Sequence, residues 1–175
     1  MFTIADIDKI LVKYIKKSIV KYGKEAVKYG VQDSYTYAME KTQNDLEQGF
    51  QSLEMKLNSV TSSRGDYSFV TLTFGNLDIP EDRQYQLMAC KKKKKNRKKD
   101  NPVVFPKLVH LFSWEQYENV PETKELFDLS IDCSCKALYP DYLAIDTVGK
   151  VAEYYKSSGK VVSPMGRMRA HVKPI

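Results

Sequence analysis

The sequence is poor in cysteine and histidine, with three and two residues among 175. Three cysteines cannot form the paired disulfide framework of a small secreted protein, so they favour a reducing compartment and predict a cytoplasmic chain. Cys133 and Cys135 stand one residue apart on a predicted helix, where their side chains point in different directions. Since a structural zinc site needs four ligands, we expect no metal site, and Cys133 fits a small core residue better.

The sequence also lacks a long apolar run. No stretch approaches the ~20 apolar residues that cross a bilayer, and acids and lysines interrupt the apolar pattern of residues 1–14. We therefore expect neither a membrane-spanning helix nor a signal peptide. A P-loop, a dinucleotide-binding fingerprint and a nucleophile elbow are missing as well, so no common catalytic motif assigns a function.

Basic residues are abundant but unevenly placed. The net charge is +6, yet residues 91–99, KKKKKNRKK, hold eight of the 28 basic side chains, which leaves −2 on the rest of the chain. This run contains no aromatic residue on which bases could stack. A solvated helix end and loop is the favoured interpretation. The alternative is a non-catalytic module that binds nucleic acid or phosphate through these lysines.

Apolar spacing predicts strands that alternate with helices, and therefore an α/β domain. The predicted helices are 5–29, a longer one capped by Asp33 or Ser34, one opening at Asp78 and Pro80 and continuing into the lysine run, 122–138, and 147–155. The predicted strands are 68–74 and 101–113, followed by a β-like run at 161–163, with a break at 139–142.

Glycines inside the helical patterns lead to two further predictions. Gly23 and Gly30 bracket a weaker second piece of the first helix. Gly49 lies within the apolar stripe of the longer helix, where glycine costs roughly 1 kcal/mol relative to alanine. We therefore expect another backbone to pack closely against Gly49.

Three segments, in this order and at this spacing, resemble the catalytic subunit of anaerobic, class III, ribonucleoside-triphosphate reductase. They are LEQGFQSLEMKLNSVTSSRGDYSFVTLTFG (46–75), NPVVFPKLVHLFS (101–113), and LYPDYL followed by GKVVSPMG (138–143 and 159–166). The resemblance extends roughly from Leu11 to Ala170. It implies a partial α/β barrel, the first half-barrel of a ten-stranded barrel, with a helical segment at 1–61, strands and helices at 62–175, and a basic loop at 91–99.

The same resemblance implies that ribonucleoside triphosphates are reduced by thiyl and glycyl radical chemistry. In that family an activating enzyme with an iron–sulfur cluster and S-adenosylmethionine generates the glycyl radical. The SSRGD turn at 62–66 also offers groups suited to phosphate or carboxylate. By position in the matching motifs, the residues nearest the substrate would be Ser62, Ser63, Arg64, Gly65, Met165 and Gly166.

One position departs from the family pattern. The finger loop of the family reads MGCR, whereas Arg167 follows Gly166 here and stands at the expected radical cysteine. An arginine cannot carry a thiyl radical, so we expect no intact catalytic residue and no cofactor bound by this chain alone. Because half a barrel leaves strand edges unpaired, we expect it to associate with another reductase polypeptide or with itself.

Overall fold

The computed structural model describes residues 2–59, 70–96, 106–137, 140–147 and 149–161. Within these ranges the chain forms four strands, six α-helices and a 3₁₀ turn at Pro80–Asp82. The elements are β1 (Phe2–Ile4), α1 (Ile7–Lys28), α2 (Ser34–Ser59), β2 (Val70–Phe74), α3 (Arg83–Asn96), β3 (Lys107–Phe112), α4 (Trp114–Asn119), α5 (Pro121–Ala137), β4 (Asp141–Ala144) and α6 (Lys150–Ser158). The predicted α/β class is confirmed.

The strands form one parallel sheet in the order β1-β2-β3-β4, so each strand pairs with the next one along the chain. Leu72 pairs with Leu108, and His110 pairs with Tyr142. Helices connect the strands, as parallel pairing requires. All residues of β2 are buried, as are all of β3 after Lys107, whereas β4 is mostly exposed.

The two faces of the sheet are covered by different residues, because side chains alternate along a strand. Leu72 and Leu108 belong to a cluster that includes Leu87 of α3 and Leu126 of α5. Val109 and Leu111 alternate with Leu108, and they form another cluster with Ile145, against which Tyr155 of α6 packs. No helix within the described ranges is long and apolar enough to cross a membrane.

The glycine predictions are wrong. Gly23 lies inside an unbroken α1, so no second piece begins there. A Cβ on Gly49 would meet no atom within 4 Å, so no other backbone packs against it. Gly49 instead lines an open apolar groove of about 250 Å³ between α1 and α2. The cap of α2 is confirmed, since the backbone N–H of Thr36 donates to Asp33 Oδ1 at 3.0 Å.

The predicted boundaries differ from the structure at several points. Of the predicted strand at 101–113, residues 107–112 form β3 and residues 101–105 lie outside the described ranges, while β4 occupies part of the predicted break at 139–142. Asp78 does not cap a helix: Ile79 holds that position of the 3₁₀ turn, and Asp78 accepts a hydrogen bond from Lys9 at 2.7 Å. β1 and α4 were not predicted. Of the β-like run at 161–163, Val161 is not in a strand, and the other residues lie outside the described ranges.

Candidate functional site

The carboxyl ends of the four parallel strands share one edge of the sheet, and polar residues follow each strand there. Asp6 follows β1, Asn76 follows β2, Ser113 follows β3 and Asp146 follows β4. In α/β barrels and in open parallel α/β sheets alike, ligands bind outside the carboxyl ends of the strands. We therefore take this carboxyl edge as the candidate site.

The side chain of Asn76 joins three elements at this edge. Gln116 of α4 donates through Nε2 to Asn76 Oδ1 at 2.7 Å, and Asn76 Nδ2 donates to the hydroxyl of Tyr155 on α6 at 3.3 Å. The other end of the Gln116 amide accepts from the backbone N–H of Leu77 at 3.1 Å. Asn76 is buried, and these bonds fix the orientation of its amide.

Ser113 and Asp146 form a second polar pair at the edge. The Ser113 hydroxyl donates to Asp146 Oδ2 at 2.7 Å and accepts from the backbone N–H of Gln116 at 3.2 Å, which caps α4. The backbone N–H of Glu115 also donates to Asp146, at 3.1 Å. Burial opposes ionisation of Asp146, but the bonds from Ser113 and the α4 backbone outweigh it, so the pKa of Asp146 lies below its ordinary value.

Two acids lie where β1 turns into α1. Asp6 adopts a left-handed backbone with φ of 48°, which is uncommon for a residue other than glycine. Its backbone N–H donates to Thr73 Oγ1 at 2.8 Å. Asp8, in the first turn of α1, is 1% exposed, and its Oδ2 accepts from the backbone N–H of Gly75 at 3.4 Å. Burial, reinforced by the neighbouring Asp6, raises the pKa of Asp8 to about 7.

Gly75 is enclosed on its other side by His110. Its φ is +103°, and a Cβ added there would lie 2.4 Å from His110 Cδ2 and 3.2 Å from the carbonyl oxygen of Leu111. The buried His110 ring stacks on Phe74 with 5.3 Å between centroids, and its Nδ1 lies 2.7 Å from Ser130 Oγ. Glycine is therefore required at position 75, both for its backbone conformation and for space.

The carboxyl edge carries more carboxyl groups than cations. Asp6, Asp8, Asp78 and Asp146 lie along it, and Lys9 pairs with two of them, at 3.8 Å from Asp6 and 2.7 Å from Asp78. Such a set can accept hydrogen bonds from hydroxyl or amino groups and can exchange a proton near neutral pH. Within the described ranges, no three His, Cys, Asp or Glu side chains are placed to hold a metal ion.

A separate apolar groove of about 330 Å³ lies beside β4. Three of its lining side chains are large, apolar and substantially exposed: Trp114 at 52%, Ile131 at 43% and Tyr142 at 40%. Phe112 and Phe127 form its floor, with 4.9 Å between their ring centroids. These apolar side chains are gathered in one groove and are not scattered singly over the surface.

The residues predicted as nearest the substrate are not among those that the structure describes. Ser62, Ser63, Arg64, Gly65, Met165, Gly166 and Arg167 all lie outside the described ranges. The lysine run begins as a helix, because α3 continues to Asn96, and Lys91 forms an ion pair with Glu125. Cys133 is buried, which confirms its predicted place in the core.

Sequence reasoning missed the residues of the carboxyl edge. Asn76 is separated by 40 residues from Gln116 and by 79 from Tyr155, so no local motif connects them. One signal was present in the sequence, since Asn76 and Ser113 come shortly after the two predicted strands. The rule that parallel strands bring their carboxyl ends together could have grouped these two residues.

Comparison with known proteins agrees with the resemblance seen in the sequence. A sequence model of the anaerobic ribonucleoside-triphosphate reductase family matches residues 2–172. The chain is 33% identical over 168 residues to the anaerobic ribonucleoside-triphosphate reductase of Enterobacteria phage T4. It is 32% identical over 176 aligned positions to that of Salmonella typhimurium and 31% over 169 to that of Escherichia coli.

These matches cover 94% of the chain but only 27%, 22% and 22% of the three relatives. The chain thus spans about a quarter of the length of the proteins it matches. The matches give no support to the nucleic-acid interpretation of residues 91–99. With nearly its whole length matched, the chain belongs to the anaerobic ribonucleoside-triphosphate reductase family.

Proposed function

We propose that this chain forms part of the catalytic α/β scaffold of an anaerobic ribonucleoside-triphosphate reductase. In that role it contributes to the reduction of ribonucleoside triphosphates to deoxyribonucleoside triphosphates, in the cytoplasm. The observation that carries the proposal is the family match across residues 2–172. Since the chain spans about a quarter of its relatives, the complete activity belongs to a larger assembly in this proposal.

The order of the strands supports a place in a barrel. Strands that are parallel and paired consecutively are what a segment of an α/β barrel requires, whereas a doubly wound sheet reverses its order at a switch point. The described sheet has the order β1-β2-β3-β4 with no reversal. We therefore propose that it contributes strands to the first half of a ten-stranded barrel.

Radical chemistry is assigned to other parts of the assembly. Arg167 stands where the family resemblance places the radical cysteine, and a guanidinium has no S–H from which a thiyl radical could form. In this proposal another reductase polypeptide supplies the thiol and the radical glycine, which an iron–sulfur, S-adenosylmethionine enzyme activates. This chain would supply the scaffold and substrate contacts at Ser62, Ser63, Arg64, Gly65, Met165 and Gly166, together with its carboxyl edge.

The surface beside β4 suits the contact with that polypeptide. β4 lies at the end of the described strand order, and most of its residues are exposed. An exposed strand presents unpaired backbone groups to an incoming strand, and the neighbouring groove of Trp114, Ile131 and Tyr142 can receive apolar side chains. We propose that the missing part of the barrel packs here. Pairing with a second copy of the chain is the competing outcome.

The test is complementation under anaerobic conditions. The purified chain is mixed with a reductase fragment that carries the finger-loop cysteine and the radical glycine, together with the activating enzyme. Reduction of ribonucleoside triphosphates is then measured for the chain alone, the fragment alone and the mixture. We expect turnover only in the mixture. Robust turnover by the chain alone, or none in a mixture that demonstrably associates, would contradict the proposal.

A matched pair of variants locates the contact in the same experiment. Trp114→Ala removes a 52% exposed ring from the groove, and Tyr14→Ala removes a 60% exposed ring from α1. Aromatic residues at the centre of an interface typically contribute ~2 kcal/mol or more, so Trp114→Ala should weaken association with the fragment by roughly 30-fold or more. Tyr14→Ala should leave it unchanged. Sedimentation of each variant alone then shows whether Trp114 also contributes to self-association of the chain.

A further inference from the structure

The loop that follows β2 is held from two sides by buried groups. On one side Asp8 Oδ2 accepts from the backbone N–H of Gly75 at 3.4 Å, across 67 residues of sequence. On the other side the His110 ring fills the space where a side chain on Gly75 would lie. The backbone N–H of Gly75 is thus engaged by Asp8, and the space beside its Cα is filled by His110.

The restraint on Gly75 also restrains Asn76 of the candidate site, because a single peptide bond joins the two residues. Asn76 follows Gly75 directly, and its side chain bonds to Gln116 and to Tyr155. Its carbonyl oxygen also accepts from Gln86 Nε2, at 3.5 Å. Any displacement of Gly75 must be shared by Asn76, so the contact with Asp8 sets where the Asn76 amide stands at the carboxyl edge.

Opposing groups act on the charge of Asp8. Its own segment supplies Asp6, which disfavours ionisation, and Lys9, which favours it. From the loop after β2, the N–H of Gly75 favours the carboxylate, while Asp78 is engaged by Lys9. From β3, His110 lies beyond Gly75. Burial is the largest of these influences, and it raises the pKa of Asp8 to about 7, so its charge changes within the physiological range.

We propose that Asp8 is a positioning residue, whose carboxylate fixes the Gly75–Asn76 loop at the carboxyl edge and relaxes that hold when it takes up a proton. A charged acceptor forms a hydrogen bond roughly twice as strong as a neutral one, so the Gly75 N–H is held more firmly by the carboxylate. The link to substrate handling rests on the proposed function. The link from Asp8 to Gly75 and Asn76 does not.

The direct test is nuclear magnetic resonance of the isotopically labelled chain between pH 5 and pH 9. The backbone amide signals of Gly75 and Asn76 should shift together, with one midpoint at about 7 that matches the midpoint of the Asp8 carboxyl carbon. In Asp8→Asn this common titration should vanish. In Asp78→Asn, which removes a more exposed carboxylate paired with Lys9, it should persist.

Two results would overturn the proposal. One is an Asp8 carboxyl carbon that titrates at its ordinary value near pH 4. The other is a Gly75 signal that keeps its titration in Asp8→Asn. The measurement on the unmodified chain stands even if Asp8→Asn fails to fold. The titration involves no substrate, so its outcome does not depend on whether the reductase assay succeeds. The outcome of the reductase assay likewise does not depend on the titration.

A second readout follows the stability of the chain against pH. Because the folded state binds the Asp8 proton more tightly than the unfolded state, Asp8 should lower the free energy of unfolding as pH rises from about 4 to about 7. This decline reflects the burial of a charge, although the individual bond to Gly75 becomes stronger. Urea denaturation should show a smaller decline for Asp8→Asn than for the unmodified chain, and equal slopes would contradict the assignment.

Discussion

The inner strand β2 and the outer strand β4 differ in how completely the described residues surround them. β2 is flanked by a strand on each side, and all five of its residues are buried. β4 pairs with β3 alone among the described strands, and it is mostly exposed beside the groove of Trp114 and Tyr142. Within the described ranges, β2 is therefore fully enclosed, whereas β4 is enclosed only in part. We therefore expect substitutions in β2 to change the stability of the chain, and substitutions beside β4 to change its association with other polypeptides.

The largest expected effect is at the end of the central strand. Gly75→Ala introduces a Cβ that would lie 2.4 Å from His110 at a φ of +103°. Backbone strain and overpacking each cost about 1–3 kcal/mol, so the free energy of unfolding should fall by roughly 4 kcal/mol in urea denaturation. The control is Gly49→Ala in α2, where nothing lies within 4 Å and stability should rise by roughly 0.5–1 kcal/mol.

A leucine pair compares the two strands directly. Leu72 of β2 is fully buried, and Leu72→Ala should lower the free energy of unfolding by about 3 kcal/mol, because it deletes core contacts and leaves a cavity. Leu143 of β4 is only half-buried, so Leu143→Ala should lower it by about 1 kcal/mol or less. If urea denaturation gave equal losses of unfolding free energy for the two variants, β2 and β4 would be equally enclosed, and the comparison of the two strands would be wrong.

The smallest effect is expected at Ser113, in the polar segment that follows β3. Ser113→Ala removes the cap of α4 and one bond to Asp146, so the free energy of unfolding should fall by about 1 kcal/mol. The pKa of Asp146 should rise toward its ordinary value, which the carboxyl carbon signal would report. Ser157→Ala, at the exposed end of α6, should change stability by less than about 0.5 kcal/mol. An unmoved Asp146 signal would show that the backbone of α4 alone sets its pKa.

The long elements could be predicted from the sequence because their apolar periodicity is strong. α1, α2 and the buried strands β2 and β3 follow the expected spacing, and Asp33 is a recognisable cap. β1 and β4 contain three and four residues, too few for alternation to appear.

The candidate site was less predictable for a different physical reason. The bonds of Asn76 join residues from three separate loops and helices, and only the parallel pairing of the strands brings them together. The proposed role of Asp8 depends on its contact with Gly75, which is 67 residues away in sequence. The prediction of close packing at Gly49 failed because the spacing of residues does not show how widely two helices separate. The substrate residues expected from the family motifs stay predictions, since they lie outside the described ranges.

The pairing of β1 with β2 has a consequence for how the chain folds. Thr3 pairs with Thr71, so two helices must be made before the first strand has a partner. α1 and α2 pack against each other and can associate while the rest is still being synthesised. Contacts between residues so distant in sequence form slowly, because a long segment must first be closed into a loop. β1 therefore joins the sheet only after α1, α2 and β2 have been made.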